Sequence, residues 1–442
     1  MFYIYILAIN RPLLYNVNMK DFELFIEDLK KLIAIKSVMG APEKDAPFGK
    51  EVRAALDCFL EIANRLGFDT INHEGYMGEL SFGEGEEIGI IGHLDVVPVG
   101  HNWNSPPFTL TEKDGTYYGR GVIDDKSPLL LCLYALKELK DSGIKPKKKF
   151  RLFVGCNEEA GWGDVEYFKT KSSFPEYGFS PDGDFPVTYA EKGISHVTVT
   201  LKKPDGFSFV SGGTAVNCVC DLATATVDKS VIDENLIKKY SLTLDENNVI
   251  TSRGKAAHGS TPELGVNAIK PLLQYMNEFG GQLEEAIDVL FNDSLGLGKI
   301  SSEQGKITFS PNLIKDDEQN LYLTCDCRIP YPYNDKTVCD TLNKSSLTFT
   351  SKIANEPAFV DKNCSFVQSL LKAYNTVTGQ NRAPVSIGGS TFARAFKFGC
   401  SFGAAMGSNN NMHDANEYIS KAQLLECYAI YKQALFNLAT ED

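Results

Sequence analysis

The chain has 442 residues, 43% of them hydrophobic and 23% charged, a balance that excludes a largely disordered chain and leaves room for two or three globular domains. Acidic residues outnumber basic ones 57 to 44, for a net charge of −13, the reverse of what a general nucleic-acid binder carries. No apolar run reaches the ~18 residues of a membrane-spanning helix, so neither nucleic acid nor membrane is an expected partner.

The 11 cysteines are scattered and odd in number, without the density of a secreted disulfide scaffold, which points to a reducing, cytoplasmic setting. The opening MFYIYILAI is apolar, but Arg11 follows it instead of preceding it, and no small-residue cleavage site comes after. Residues 1–18 therefore read as an N-terminal extension, not a signal or anchor, with the folded body starting at Met19.

From Asp21, FELFIEDLKKLIAI spaces its apolar residues as an amphipathic helix does, and 51–68 repeats the pattern with Gly67 as its C-cap. IGIIGHLDVVPV (88–99) is a continuous apolar run with β-branched residues, expected as a fully buried strand. Ser127 is placed to cap a third helix, with Pro128 at its first position and Gly143 at its end. The Lys145–Lys149 run reads as a solvated turn leading into the buried strand of KFRLFVGC.

This strand–helix alternation predicts an α/β domain, its mixed, largely parallel sheet covered by helices on both faces. After Lys192 the pattern changes. HVTVTLKK (196–203) and LYLTCDCRIPY (321–331) alternate with period two, and helical stretches near 230–240 and 266–279 lie between them. The expected organisation is therefore a catalytic domain of 19–191 and 357–442, interrupted by an α+β lid domain at 192–356. In the C-terminal part a long helix from Asn363, a Gly-rich turn (386–391) and a final helix from Lys421 complete the first domain.

Several turns carry chemistry. His93 and Asp95 share a face at the end of the apolar strand, where a carboxylate can hold a metal-binding imidazole, although a structural His–Asp pair is the commoner meaning. Asp124 and Asp125 follow a Gly-rich turn directly before a helix, a place that also suits plain helix capping. Glu158 and Glu159 close the strand RLFVGC, where open α/β sheets put their sites; one can ligate a metal while its neighbour acts as base, although a solvated turn is an equally common meaning of such a pair. Asp182 sits in the turn SPDGDFP, His258 in AAHGSTP and His413 in NMHDANE. His73, His101 and His196 have no such surroundings and read as structural.

These motifs, in this order and spacing, resemble the M20 family of dinuclear zinc peptidases from Met19 to Asp442, nearest its Xaa-His dipeptidase (PepV-like, carnosinase-type) branch. The resemblance implies a zinc-exopeptidase fold and two Zn²⁺ per chain, with Mn²⁺ or Co²⁺ as substitutes. His93 would bind one ion, Asp124 would bridge both, and Glu159, Asp182 and His413 would complete the set. Asp95 would orient His93, Glu158 would serve as general base toward a hydroxide shared by the ions, and the 124–125 peptide bond would be cis. The charge count agrees: two Zn²⁺, three carboxylates and one hydroxide sum to zero. In the lid, His258 would stabilise the tetrahedral oxyanion. Asn217, Arg328 and the Gly388-Gly389-Ser390 turn would hold the free carboxylate of a dipeptide substrate. The long insert resembles that of the monomeric branch, with a dimer as the alternative.

Other readings carry less. The C-x-C pairs Cys218/Cys220 and Cys325/Cys327 fit alternating strand positions better than a structural zinc site. Gly83-Glu84-Gly85 falls short of a dinucleotide motif, and neither G-x-S-x-G nor H-E-x-x-H occurs. Within the same chemistry an N-acyl amino acid deacylase or desuccinylase is the competing substrate class. A non-catalytic peptide-binding descendant is disfavoured by the intact Glu158.

Overall fold

The computed structural model describes residues 19–407 and 410–441; the extension expected at 1–18 lies outside the described residues. The chain divides into two compact units. One takes in the described chain up to Tyr189, Phe359–Val385 and the part from Thr391 onward; the other comprises Ala190–Ala358 and Ser386–Ser390.

The first unit is built on a nine-stranded mixed sheet, six adjacent strands of which run, in spatial order, Thr70–His73, Met77–Phe82, Lys148–Gly155, Glu86–His93, Tyr177–Ser180 and Phe398–Ser401. The last four are mutually parallel and the first two antiparallel. The helix Lys126–Asp141 packs between Met19–Ala34 and Lys421–Thr440 and against the strand Glu86–His93. Every residue from Lys126 to Leu136 is buried, as befits a helix with neighbours all round. Lys50–Arg65 covers the antiparallel edge. Gly67 just beyond it adopts φ +85°, the left-handed conformation that ends a helix at little cost in glycine.

Two local expectations are corrected. The strand expected over 88–99 spans Glu86–His93 only. Beyond it Val96 donates its N–H to the Ser37 carbonyl, so the chain leaves the sheet while Leu94 and Val96 remain buried. The third helix begins at Lys126 behind Asp125, not behind Ser127. Ser127 is therefore inside the first turn, past the capping position, and its hydroxyl donates to the Val122 carbonyl.

The second unit is an eight-stranded antiparallel sheet. Its strand Gly193–Lys202, next to the edge strand, alternates buried and half-buried residues up to the exposed Lys202. Val197, Val199, Leu323, Cys325 and Cys327 join a core with Leu272, Leu273 and Met276 of the helix Ile269–Asn277. Cys325 and Cys327 are thus core residues, and all 11 cysteines are free. Among the described residues no helix is long and apolar enough to cross a membrane.

Candidate metal centre

The loops at the C-terminal ends of the parallel strands bring five of the expected residues together. Asp124 lies at their centre. Its Oδ1 is 3.0 Å from His93 Nε2, and its Oδ2 is 2.9 Å from His413 Nε2. His93 Nε2 also lies 3.8 Å from Asp182 Oδ2, and His413 Nε2 lies 3.3 Å from Glu159 Oε2. The group therefore has two halves that share one carboxylate, with His93 and Asp182 on one side and His413 and Glu159 on the other. His93, Asp124 and Glu159 already bring one ligand atom each to within 4.8 Å of one another.

Local structure explains each placement. His93 ends its strand, and its N–H donates to Asp125 Oδ2 at 3.2 Å. A Cβ at the preceding Gly92 would stand 2.2 Å from that oxygen, so only glycine admits Asp125 there. The peptide bond joining Asp124 to Asp125 is cis. His93 Nδ1 donates to the Asp95 carbonyl at 2.9 Å, which leaves Nε2 as the nitrogen open to a metal. That Nε2 is buried and, despite the nearness of Asp124, has no neighbour in hydrogen-bonding geometry. The Asp95 carboxylate stands 3.5 Å from Nδ1 and accepts the main-chain N–H groups of Glu158 at 3.1 Å and Glu159 at 3.0 Å. Asp164, which the sequence did not single out, braces the same turn from below by accepting from Cys156 and Asn157 at 2.6 and 2.9 Å.

The electrostatics are those of a cluster short of positive charge. Burial works against the charge on Asp124, yet His413 and His93 hold its carboxyl far below the usual range. Burial also opposes charge on His93, but Asp124 and Asp95 outweigh it and raise its pKa. Hydrogen bonds to Asp124 and Glu159 raise His413 to about 11. Burial, and then repulsion from Asp124, pushes Asp182 up to about 7. Burial likewise lifts Glu158 well above the ordinary carboxylate value; His93 offsets this in part, while Asp182 and Glu159 add to it. Protons are here being asked to balance carboxylates, a task for which divalent cations are better suited. Imidazole and carboxylate donors in this mixture fit such ions well.

The remaining expected residues gather within the second unit. Arg328 is buried; its Nε donates to Asp326 Oδ2 at 2.8 Å and its Nη1 to the Gly388 carbonyl at 2.9 Å. His258 Nδ1 accepts the Ser260 N–H at 3.2 Å and lies 2.7 Å from Ser260 Oγ, so the ring proton falls on Nε2. The Asn217 carbonyl accepts the Gly259 N–H at 2.7 Å. A Cβ at Gly259 would meet Asp326 Oδ2 at 2.1 Å, and one at Gly388 would meet Ser260 Cβ at 2.7 Å. These contacts place Asn217, His258, Arg328 and the turn holding Gly388, Gly389 and Ser390 side by side. Asp326 was not anticipated as a functional group; its place two residues before Arg328 on one strand face was the available signal.

Residues 89–437 match the model of Peptidase family M20/M25/M40, and the chain belongs to that family. It is 32% identical, over 94% of its length and 97% of the relative's, to a Staphylococcus haemolyticus protein provisionally named a dipeptidase, and 33% identical with the same coverage to a counterpart in Staphylococcus aureus. Its fold is similar to that of human carnosine dipeptidase 1, at 15% identity and TM-score 0.58, covering 96% of this chain and 98% of that one. It is also similar to Dug1p of Saccharomyces cerevisiae, titled a di-peptidase, at 14% identity and TM-score 0.59 with the same coverage. The chain is a hydrolase acting on peptides, and its family implies use of a divalent metal.

Proposed function

We propose that this chain is a cytoplasmic, metal-dependent dipeptidase that hydrolyses the peptide bond of unblocked dipeptides. The two-sided use of Asp124, with one oxygen at His93, itself near Asp182, and the other at His413, itself near Glu159, carries the reading. His93, Asp124 and Asp182 would hold one divalent ion, and Asp124, Glu159 and His413 a second; zinc is expected. When bound, the ions supply Lewis acidity that brings a water toward ionisation near neutral pH and polarises the peptide carbonyl.

Glu158 is free of the ligand set, and burial raises its proton affinity, as a group that must take and keep a proton requires. In this reading it accepts the proton of the attacking water and delivers it to the leaving amine. Asp95 fixes the Glu158–Glu159 main chain and so sets where that carboxylate stands.

The second unit supplies groups for the rest of the substrate. The Arg328 fork, pinned by Asp326 and the Gly388 carbonyl, suits a free C-terminal carboxylate, with Asn217 and the N–H groups of Gly388, Gly389 and Ser390 beside it. His258, whose pKa is lowered by desolvation and by the nearby Arg328 charge, stays neutral and offers Nε2–H to the oxyanion of the tetrahedral intermediate. The dipeptidase names of the relatives and structural neighbours support the substrate class.

The test is hydrolysis of a mixed panel by metal-stripped protein before and after addition of Zn²⁺ or Mn²⁺, followed by mass spectrometry. Metal-restored cleavage confined to free dipeptides is the expected result. Cleavage confined to N-acetyl or N-succinyl amino acids keeps the metal centre and replaces the substrate. Two bound ions with no cleavage of any panel member would point to a binding protein.

A further inference from the structure

Glu417 belongs to neither the ligand set nor the substrate groups, yet it is fully buried in the first unit, four residues after His413. Its Oε2 accepts Arg120 Nη1 at 2.7 Å and the Gly121 N–H at 2.9 Å. Its Oε1 accepts the N–H groups of Ile123 at 2.9 Å and Asp124 at 3.3 Å. Its carbonyl accepts the Gly119 N–H at 3.1 Å. Asp124 and Glu417 are 293 residues apart in sequence, so one side chain fastens the turn that carries Asp124 to the segment that carries His413.

That segment needs fastening. His413 stands at φ +64°, and Asn410, Asn411 and Asn416 are left-handed too, a conformation that non-glycine residues hold only when their surroundings fix it. Asn416 ties the segment on its other side: its Oδ1 accepts the Asn104 N–H at 2.7 Å and its Nδ2 donates to the Asn102 carbonyl at 3.2 Å. A buried carboxylate is costly unless its oxygens are well bonded, and here four donors meet it. An ion pair with Arg120 alone would not require three main-chain donors, those of Gly121, Ile123 and Asp124, from the turn that ends at Asp124.

We propose that Glu417 is a positioning residue that sets Asp124 Oδ2 opposite His413 before any ion binds, and so governs the affinity of the half of the centre shared by Asp124, Glu159 and His413. The proposal rests on the two-ion reading above and deepens it.

Glu417→Gln keeps the shape but turns an amide N–H₂ toward donors, which opens one side of the clasp. In Zn²⁺ titrations against a chromophoric chelator, wild type should take up two equivalents. The variant should hold one of them ~10–100-fold more weakly and the other unchanged. The visible spectrum of the Co²⁺-loaded variant should change for the weakened equivalent. Wild-type affinity for both equivalents with an unchanged Co²⁺ spectrum would overturn the proposal.

A second measurement needs no variant. In metal-stripped wild type the amides of Gly121, Ile123 and Asp124 should exchange slowly with deuterium, because Glu417 and not the metal holds them. Exchange at the rate of an open loop until Zn²⁺ is added would overturn it equally. Should wild type bind fewer than two equivalents, the two-ion reading fails, and the exchange result still judges Glu417.

Discussion

Asp95 and Glu158 are joined through the main chain: Asp95 Oδ1 accepts the Glu158 N–H at 3.1 Å, and its Oδ2 accepts from Glu159 at 3.0 Å. The resemblance cast Asp95 as the orienter of His93. The His93 Nδ1 hydrogen bond in fact goes to the Asp95 carbonyl, with the carboxylate at 3.5 Å. One residue thus serves the strand end and the acidic turn together, and relates His93 to the proposed base.

Asp95→Asn tests this link. Asparagine can accept from one of the two N–H groups but presents a donor to the other, leaving it unsatisfied. With metal saturating, kcat should fall ~10-fold or more, while KM stays near wild type. An unchanged kcat under those conditions would show that the Glu158–Glu159 turn holds its own shape.

Glu158→Ala separates base from ligand. Metal content, measured by mass spectrometry of the dialysed protein, should match wild type, and turnover should fall ~10²–10⁴-fold. Loss of an ion in this variant would transfer the ligand role from Glu159 to Glu158.

Much of this centre was legible in the sequence because its residues sit in short motifs at strand ends, where a continuous apolar run stops and acids begin. That pattern marked His93, Glu158 and Glu159 as candidates, and the resemblance supplied the roles expected of them. The brackets that hold them were not legible in this way. Asp164 and Glu417 act through main-chain groups of other segments, and such pairing leaves no local periodicity. Asp326 looked like one more polar position on an alternating strand. The overlong strand expected at 88–99 failed for a related reason: buried apolar residues mark the core, but after Leu94, whose N–H still bonds the Gly155 carbonyl, Val96 reaches that core with its N–H on Ser37, outside the sheet. The helices Glu284–Phe291 and Asp335–Leu342 were too short for their periodicity to stand out.

Arg328→Ala tests the carboxylate anchor. A hydrogen bond to a charged group contributes about 1.5–3 kcal/mol, so KM for free dipeptides should rise ~10-fold or more. C-terminally amidated dipeptides should show no such change. Asp326→Asn should give the same selective effect in weaker form, because it loosens the Arg328 fork without removing it. Equal rises for free and amidated substrates would remove the anchor role from Arg328.

The metal-stripped protein should lose stability as pH rises, and the sign follows from the two groups that shift most legibly. Asp124 and Glu159 raise His413 from 6.5 to about 11. A group held above its unfolded value contributes stability that is complete below that value and is lost as pH climbs toward the folded one. Burial and Asp124 raise Asp182 from 3.8 to about 7, so the folded state holds a proton that the unfolded state has given up; ionising it likewise costs stability between those values. The Asp182 part is lost by about pH 7 and the His413 part from about pH 6.5 upward, so the two follow one another in the same direction between pH 6 and pH 8.5. Protons and metal compete for the same imidazoles, so metal affinity should rise over that interval. Calorimetric Tm values for stripped and Zn²⁺-loaded protein should therefore draw apart as pH increases, the stripped form falling and the loaded form holding. A gap that stays constant across the range would mean that His413 and Asp182 take no part in binding the ion.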